Sequence, residues 1–289
     1  MPLTNPYLIA SRPHQWIKNL VVFAAPLAAG EILDRAVLVE TIVAACLFLC
    51  ASIGVYFFND LQDIDTDRKH PRKTLRPIAN RDIPYRVANL SAFTLSITPL
   101  IISFFLSVSL VICLSCYIFI NVLYSIKLKE IPYFELALVS SGFVFRAIAG
   151  GLASDISLSF WFISLVSCSS LFVVTGKRYA ELSTYQTHNS RPVLRFYPLP
   201  MLRFLLWVSA TLAIVTYSFW LSLSNETWES LHLIFSILSL IIFALTIFRY
   251  GYLLQRGRGE DPVRTLLNDY LLMILAFFWA ASYSVVIYG

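Results

Sequence analysis

The chain has 289 residues, 58% of them hydrophobic and 13% charged, with a formal net charge of +5 and a mean hydropathy of +0.71. That is far more apolar than a soluble domain, and apolar runs repeatedly reach the roughly 20 residues needed to cross a bilayer. A soluble enzyme and a nucleic-acid-binding module are excluded, and an all-α integral membrane protein is expected.

In chain order the predicted spans are 15–32, 36–58, 86–106, 108–126, 132–153, 158–176, 201–223, 230–250 and 266–288, a bundle of nine transmembrane helices. The first run contains Pro26 and no small-residue cleavage pattern, so it reads as a retained helix and not as a secretory signal. The longest polar insertions, about 59–86, 177–200 and 251–265, are too short for cores of their own, so 1–289 is expected as a single polytopic domain. With nine spans, 20 of the 22 Lys and Arg fall on one side, leaving only Arg35 in an opposite loop and Arg146 within a span. Loops rich in Lys and Arg stay inside, which predicts a plasma (inner) membrane protein with these loops in the cytoplasm.

The second span runs into Asn59-Asp60-Leu61-Gln62-Asp63-Ile64-Asp65-Thr66-Asp67, followed by Arg68, Lys69, His70, Arg72, Lys73 and Arg76. If the helix continues, Asn59, Asp63 and Asp67 fall at i, i+4 and i+8 on one face, with Asp60 beside them and Asp65 pointing away. A solvated loop has no need of such a row. Oxygen ligands without His or Cys suit Mg2+, which binds a few carboxylates and completes its shell with water and substrate phosphates. Asn59, Asp60, Asp63 and Asp67 are therefore candidate metal ligands, and Asp60, Asp63 and Asp67 candidate catalytic residues.

Further along, Tyr124-Ser125-Ile126-Lys127-Leu128-Lys129 leads to Glu135 and then to Arg146, an arginine midway along a span. Ionisable groups at that depth usually face a cavity or meet an anion, so Arg146 is a substrate-binding candidate, with pairing to Glu135 or Asp155 for packing as the alternative. Lys177-Arg178-Tyr179-Ala180-Glu181 forms a third polar loop, and Arg256, Arg258, Glu260, Asp261 and Asp269 a fourth. Arg81, Arg86, Arg191, Arg195 and Arg203 read as solvated, positive-inside charges. His14, His70, His188 and His232 are scattered and suggest no metal site, and the five cysteines read as buried, reduced thiols.

Asn59-Asp60-x-x-Asp63-x-x-x-Asp67, continuing into Arg76-Pro77, resembles the first aspartate-rich motif of the UbiA superfamily of intramembrane prenyltransferases. Further blocks are similar to its decaprenyl-phosphate phosphoribosyltransferase branch: Arg12-Pro13-x-Gln15-Trp16-x-Lys18-Asn19, His70-Pro71-x-Lys73-x-x-Arg76-Pro77, Tyr124-Ser125-x-x-Leu128-Lys129, Phe145-Arg146-Ala147-Ile148-Ala149-Gly150-Gly151, Lys177-Arg178-x-x-Glu181 and Gly257-x-Gly259-Glu260-x-Pro262. Where the family's second acidic motif opens with Asp, this chain has Glu135, a longer carboxylate that keeps the charge of a metal ligand.

The resemblance implies a UbiA-like helical bundle and a Mg2+-dependent glycosyltransferase. 5-Phosphoribosyl 1-diphosphate would donate its phosphoribosyl group to a polyprenyl phosphate, releasing diphosphate, in cell-envelope precursor synthesis. Mg2+ neutralises charge on the leaving group. Lys73, Arg76, Lys127 and Lys129 are then candidates for clamping the donor's phosphates, and Lys177, Arg178 or Arg146 for the acceptor phosphate; Lys18, Asn59 and Tyr124 join them as substrate-binding candidates. The alternatives are prenyl transfer from a polyprenyl diphosphate to an aromatic acceptor, and a transporter or flippase. The surplus of basic groups over one diphosphate favours the first reading, and carboxylates at one membrane face disfavour the last. The length of the lipid is not encoded in an apolar groove, and a homo-oligomer is compatible with this pattern.

Overall fold

The computed structural model of the chain describes residues 5–71, 73–184, 192–224, 230–257, 259 and 261–288. Arg72, His188, Arg191, Arg258 and Glu260 lie outside the described residues. The helices in order are α1 (Pro6–Ala10), α2 (Ala24–Ala28), α3 (Arg35–Gln62), α4 (Ile64–Arg68), α5 (Tyr85–Phe104), α6 (Val108–Ile126), α7 (Phe134–Ala153), α8 (Phe160–Thr184), α9 (Leu199–Ser224), α10 (Ser230–Gln255), α11 (Pro262–Asn268) and α12 (Tyr270–Tyr288).

Among the described residues, eight helices (α3, α5 to α10 and α12) are long and apolar enough to cross a membrane, and they match the last eight expected spans. The first expected span, 15–32, takes another form: a 3₁₀ segment over Pro13–Phe23 followed by the five-residue α2. Proline stands near both ends of this stretch, Pro13 opening the 3₁₀ segment and Pro26 removing an amide donor inside α2. A 3₁₀ helix rises about 2 Å per residue, so its 11 residues cover roughly 22 Å, an extended stretch for so few residues.

The chain forms two compact units: Met1–Leu138 with Phe145–Ser157, and Val139–Val144 with Leu158–Gly289. In the first, Asp34 caps α3 by accepting from the amides of Ala36 at 2.8 Å and Val37 at 3.1 Å. At 28 residues α3 is about 42 Å long, more than the ~30 Å hydrocarbon core, so it is long enough to cross that core with Asn59 and Asp60, in its last turns, outside it. Its buried face (Ala44, Leu47, Phe48, Ala51 and Val55) packs with Val22, Leu110, Cys113, Leu114, Tyr117 and Ala149. A second cluster, Ala10, Phe57, Leu61, Ile78, Ile83, Ala88 and Ala92, underlies the polar segment after α3. In the second unit α8 packs on α9 and α10 on α12, around Phe172, Leu206, Ala210, Ile247 and Leu254. Large apolar side chains such as Leu90, Phe105, Phe119 and Phe277 are exposed, as expected where the surrounding medium is lipid.

Candidate active site

α3 does not continue unbroken. It ends at Gln62, Asp63 takes φ −94° and ψ 3°, and the short α4 follows. The helical rhythm nevertheless survives the break, since the Asp63 amide donates to the Asn59 carbonyl at 3.0 Å and the Asp67 amide to the Asp63 carbonyl at 2.8 Å. Asp60 and Asp67 are consequently buried, Asp63 is half-buried and Asp65 is exposed. The row expected from spacing is kept, with a bend at its middle.

Burying carboxylates is costly unless cations and donors meet them. Here Arg76 Nη1 donates to Asp60 Oδ1 at 3.0 Å and to Asp67 Oδ2 at 2.7 Å, so one guanidinium nitrogen joins two buried carboxylates. Arg12 donates a second charge-assisted bond to Asp60 Oδ1, and Lys73 Nζ lies 3.9 Å from Asp67 Oδ1. Lys129 pairs with Asp63 Oδ1, whose other oxygen accepts from Asn59 Nδ2 at 3.3 Å. Four cations thus surround three carboxylates, an excess of positive charge suited to phosphate. Arg68 Nε donates to the Ala79 carbonyl at 3.1 Å, which ties α4 to the turn that follows Arg76.

Of the expected site residues, Asn59, Asp60, Asp63, Asp67, Lys73, Arg76 and Lys129 come together in this cluster. Lys127 is exposed at the end of α6 and Tyr124 is half-buried one turn earlier. Lys18 is half-buried on the 3₁₀ segment, and Glu135 is fully buried in the first turn of α7. Arg146 lies elsewhere in the same unit, bonded to Asn19, Ser52 and Tyr117. Lys177 and Arg178 belong to the second unit, where Arg178 Nη1 meets Glu181 Oε2 at 2.8 Å and Lys177 Nζ lies 4.0 Å from Glu181 Oε1. Arg12 is the member that site reasoning passed over. Its only signal was its place in the Arg12-Pro13-x-Gln15-Trp16 block, because the 48 residues separating it from Asp60 carry no periodicity.

Among the described residues no three His, Cys, Asp or Glu side chains stand close enough to hold a metal ion by themselves. The donor set still fits Mg2+. Asp60 and Asp67 converge on one positively charged nitrogen, so the space between them is built for a cation, and every nearby ligand is a hard oxygen. Phosphate oxygens complete the shell of a Mg2+ ion that proteins usually hold by only one or two carboxylates.

The model of the UbiA prenyltransferase family matches residues 20–279 of the chain. The chain is 37% identical to the decaprenyl-phosphate phosphoribosyltransferase of Mycolicibacterium smegmatis, over 99% of this chain and 93% of that protein. It is 34% identical to the enzyme of the same name from Corynebacterium glutamicum, over 99% and 88%. Its fold is that of a UbiA homolog from Archaeoglobus fulgidus bound to GPP and Mg2+, with a TM-score of 0.74, 17% identity and coverage of 98% of this chain and 99% of that one. Sequence match and fold agree over nearly the whole length, and the chain belongs to the UbiA prenyltransferase family, a multi-pass membrane protein.

Proposed function

We propose that this protein transfers the 5-phosphoribosyl group of 5-phosphoribosyl 1-diphosphate to a polyprenyl phosphate, decaprenyl phosphate in the names of its relatives, and releases diphosphate. The observation that carries the reading from the structure is Arg76 Nη1 between the buried Asp60 and Asp67, ringed by Arg12, Lys73 and Lys129. Asp60 and Asp67 would hold Mg2+ between them, with Asn59 and Asp63 as further candidate oxygen donors, and the ion would neutralise charge on the diphosphate, which leaves with the electron pair of the broken C1–O bond.

The chain's own residues do the rest. Arg76 and Arg12 exchange carboxylate partners for phosphate oxygens of the donor, with Arg suited to bidentate contacts, while Lys73 and Lys129 supply point charges. An acceptor phosphate oxygen forms the new bond to C1 without giving up a proton, so no general base is required, and positioning with electrostatics supplies the rate. We assign Lys127 to the donor's phosphates, Lys177 and Arg178 to the acceptor phosphate, and Lys18 and Tyr124 to substrate binding. The concentration of Lys and Arg on one side of the expected spans supports a site that faces the cytoplasm, at the inner face of the plasma membrane.

The test is incubation of purified protein with Mg2+, polyprenyl phosphate and ribose-labelled phosphoribosyl diphosphate. Label entering the lipid fraction supports the reading. An inert donor, together with transfer from a prenyl diphosphate to an aromatic acceptor, replaces it with prenyl transfer.

A further inference from the structure

Arg146 sits in the middle of α7, only 4% exposed, and engages groups from three other elements of the first unit. Its Nε donates to Asn19 Oδ1 at 2.8 Å, and its Nη2 donates to Ser52 Oγ at 2.8 Å and to the Tyr117 hydroxyl at 3.0 Å. The guanidinium also lies 5.0 Å from the centre of the Tyr117 ring, and Ser52 Oγ is 3.0 Å from the Tyr117 hydroxyl. One planar fork of donors therefore joins the 3₁₀ segment, α3 and α6 to α7, a task for which a single ammonium lacks the geometry.

The 3₁₀ segment is what links this network to the carboxylates. On α3, Ser52, Tyr56 and Asp60 stand four residues apart on one face. The segment and its first flanking residue meet that face at both ends: Asn19 contacts Ser52, while Arg12 lies 5.2 Å from the centre of the Tyr56 ring and bonds Asp60. α7 grips the same segment again one turn after Arg146, at Gly150, where an added Cβ would fall 1.8 Å from the Val22 carbonyl oxygen. Arg12 itself has φ 54° and ψ 65°, left-handed backbone that costs a non-glycine residue about 1–3 kcal/mol and persists only where surrounding structure enforces it.

We propose that Arg146 is a positioning residue: by fixing Asn19 it sets the placement of residues 13–23, and through them holds Arg12 against Asp60. It then acts on the donor site without touching either substrate. This reading of its effect on catalysis rests on the phosphoribosyl transfer proposed above.

The test pairs kinetics with a readout that needs no substrate, using the full-length protein in lipid nanodiscs. Arg146→Lys and Asn19→Ala should each lower kcat/KM for phosphoribosyl diphosphate by about ten- to hundredfold, as misplacement of a catalytic group does, while leaving KM for polyprenyl phosphate unchanged. In an Arg12→Ala background either change should cost less than a further twofold, because the group being positioned is gone. Amide hydrogen exchange across residues 14–20 should accelerate at least tenfold in both single variants. Losses that multiply with Arg12→Ala, a defect confined to KM for polyprenyl phosphate, or unchanged exchange each overturn the proposal, the second returning Arg146 to the lipid phosphate. If Arg146→Lys fails to fold, Asn19→Ala alone decides it. Absence of transfer by the unaltered protein overturns the proposed function instead, and the exchange result then decides the positioning.

Discussion

Replacing Arg76 with Met tests whether the space between Asp60 and Asp67 is a cation site. The side chain of Arg76 is 28% exposed while those of the carboxylates are 3% and 2% exposed, so the two bonds it donates are largely desolvated. A charge-assisted bond is worth about 1.5–3 kcal/mol, and leaving a buried charge wholly unpaired costs about 3–5 kcal/mol. Asp60 keeps Arg12 and Asp67 keeps Lys73, so neither carboxylate is orphaned, and the partial exposure of Arg76 screens part of the interaction. The loss should therefore be about 2–4 kcal/mol, a fall in Tm of roughly 5–10 °C for a chain of this size. Mg2+ should restore part of that loss by filling the vacated position, so its stabilising effect should be larger in the variant than in the parent. Thermal unfolding in detergent, with and without millimolar Mg2+, measures both quantities. An unchanged Tm, or an identical Mg2+ response in the two proteins, refutes the cation site.

Asp60→Asn, Asp63→Asn and Asp67→Asn should each reduce turnover by on the order of hundredfold or more at saturating Mg2+, whereas the exposed Asp65→Asn should remain close to the parent in a label-transfer assay; near-normal rates in the first three would remove them from the site. Gly150→Ala should destabilise by about 1–3 kcal/mol, because the Cβ can be accommodated only by moving the Val22 backbone, and a Tm equal to the parent's would show that the 3₁₀ segment is not tightly held. Cysteines at the exposed positions Asp82 and Glu31 should react with a membrane-impermeant thiol reagent from the cytoplasmic and the opposite side respectively, and the reverse labelling would invert the orientation.

The spans were legible because twenty apolar residues in a row have few fates, and the last eight expected runs coincide with long helices. The same local periodicity placed Asp60 and Asp67 beside one another and turned Asp65 outward. Tertiary choices were hidden. Nothing in the hydropathy of 15–32 distinguishes an α-helix from the 3₁₀ segment, whose form goes with close packing of Val22 against Gly150, a residue more than a hundred positions away. Which base meets which carboxylate was equally opaque: Lys127 and Lys129 are two residues apart, yet the 3₁₀ turn after α6 brings Lys129 to Asp63 and leaves Lys127 exposed. Arg146 was conspicuous as a charge within a span, but hydropathy gives its depth and not its partners, and here Asn19, Ser52 and Tyr117 surround it.

The central claim is that the ribosyl carbon, and not a prenyl carbon, changes partners at the carboxylate cluster. The most direct measurement uses a donor carrying one label in its ribose and another in its 1-diphosphate, incubated with polyprenyl phosphate, Mg2+ and the purified protein. The account predicts equal rates of ribose label entering the lipid fraction and diphosphate label appearing in water, both lowered by on the order of hundredfold or more by Asp60→Asn. Ribose label that stays in the aqueous fraction, or transfer at a near-normal rate in Asp60→Asn, would contradict it.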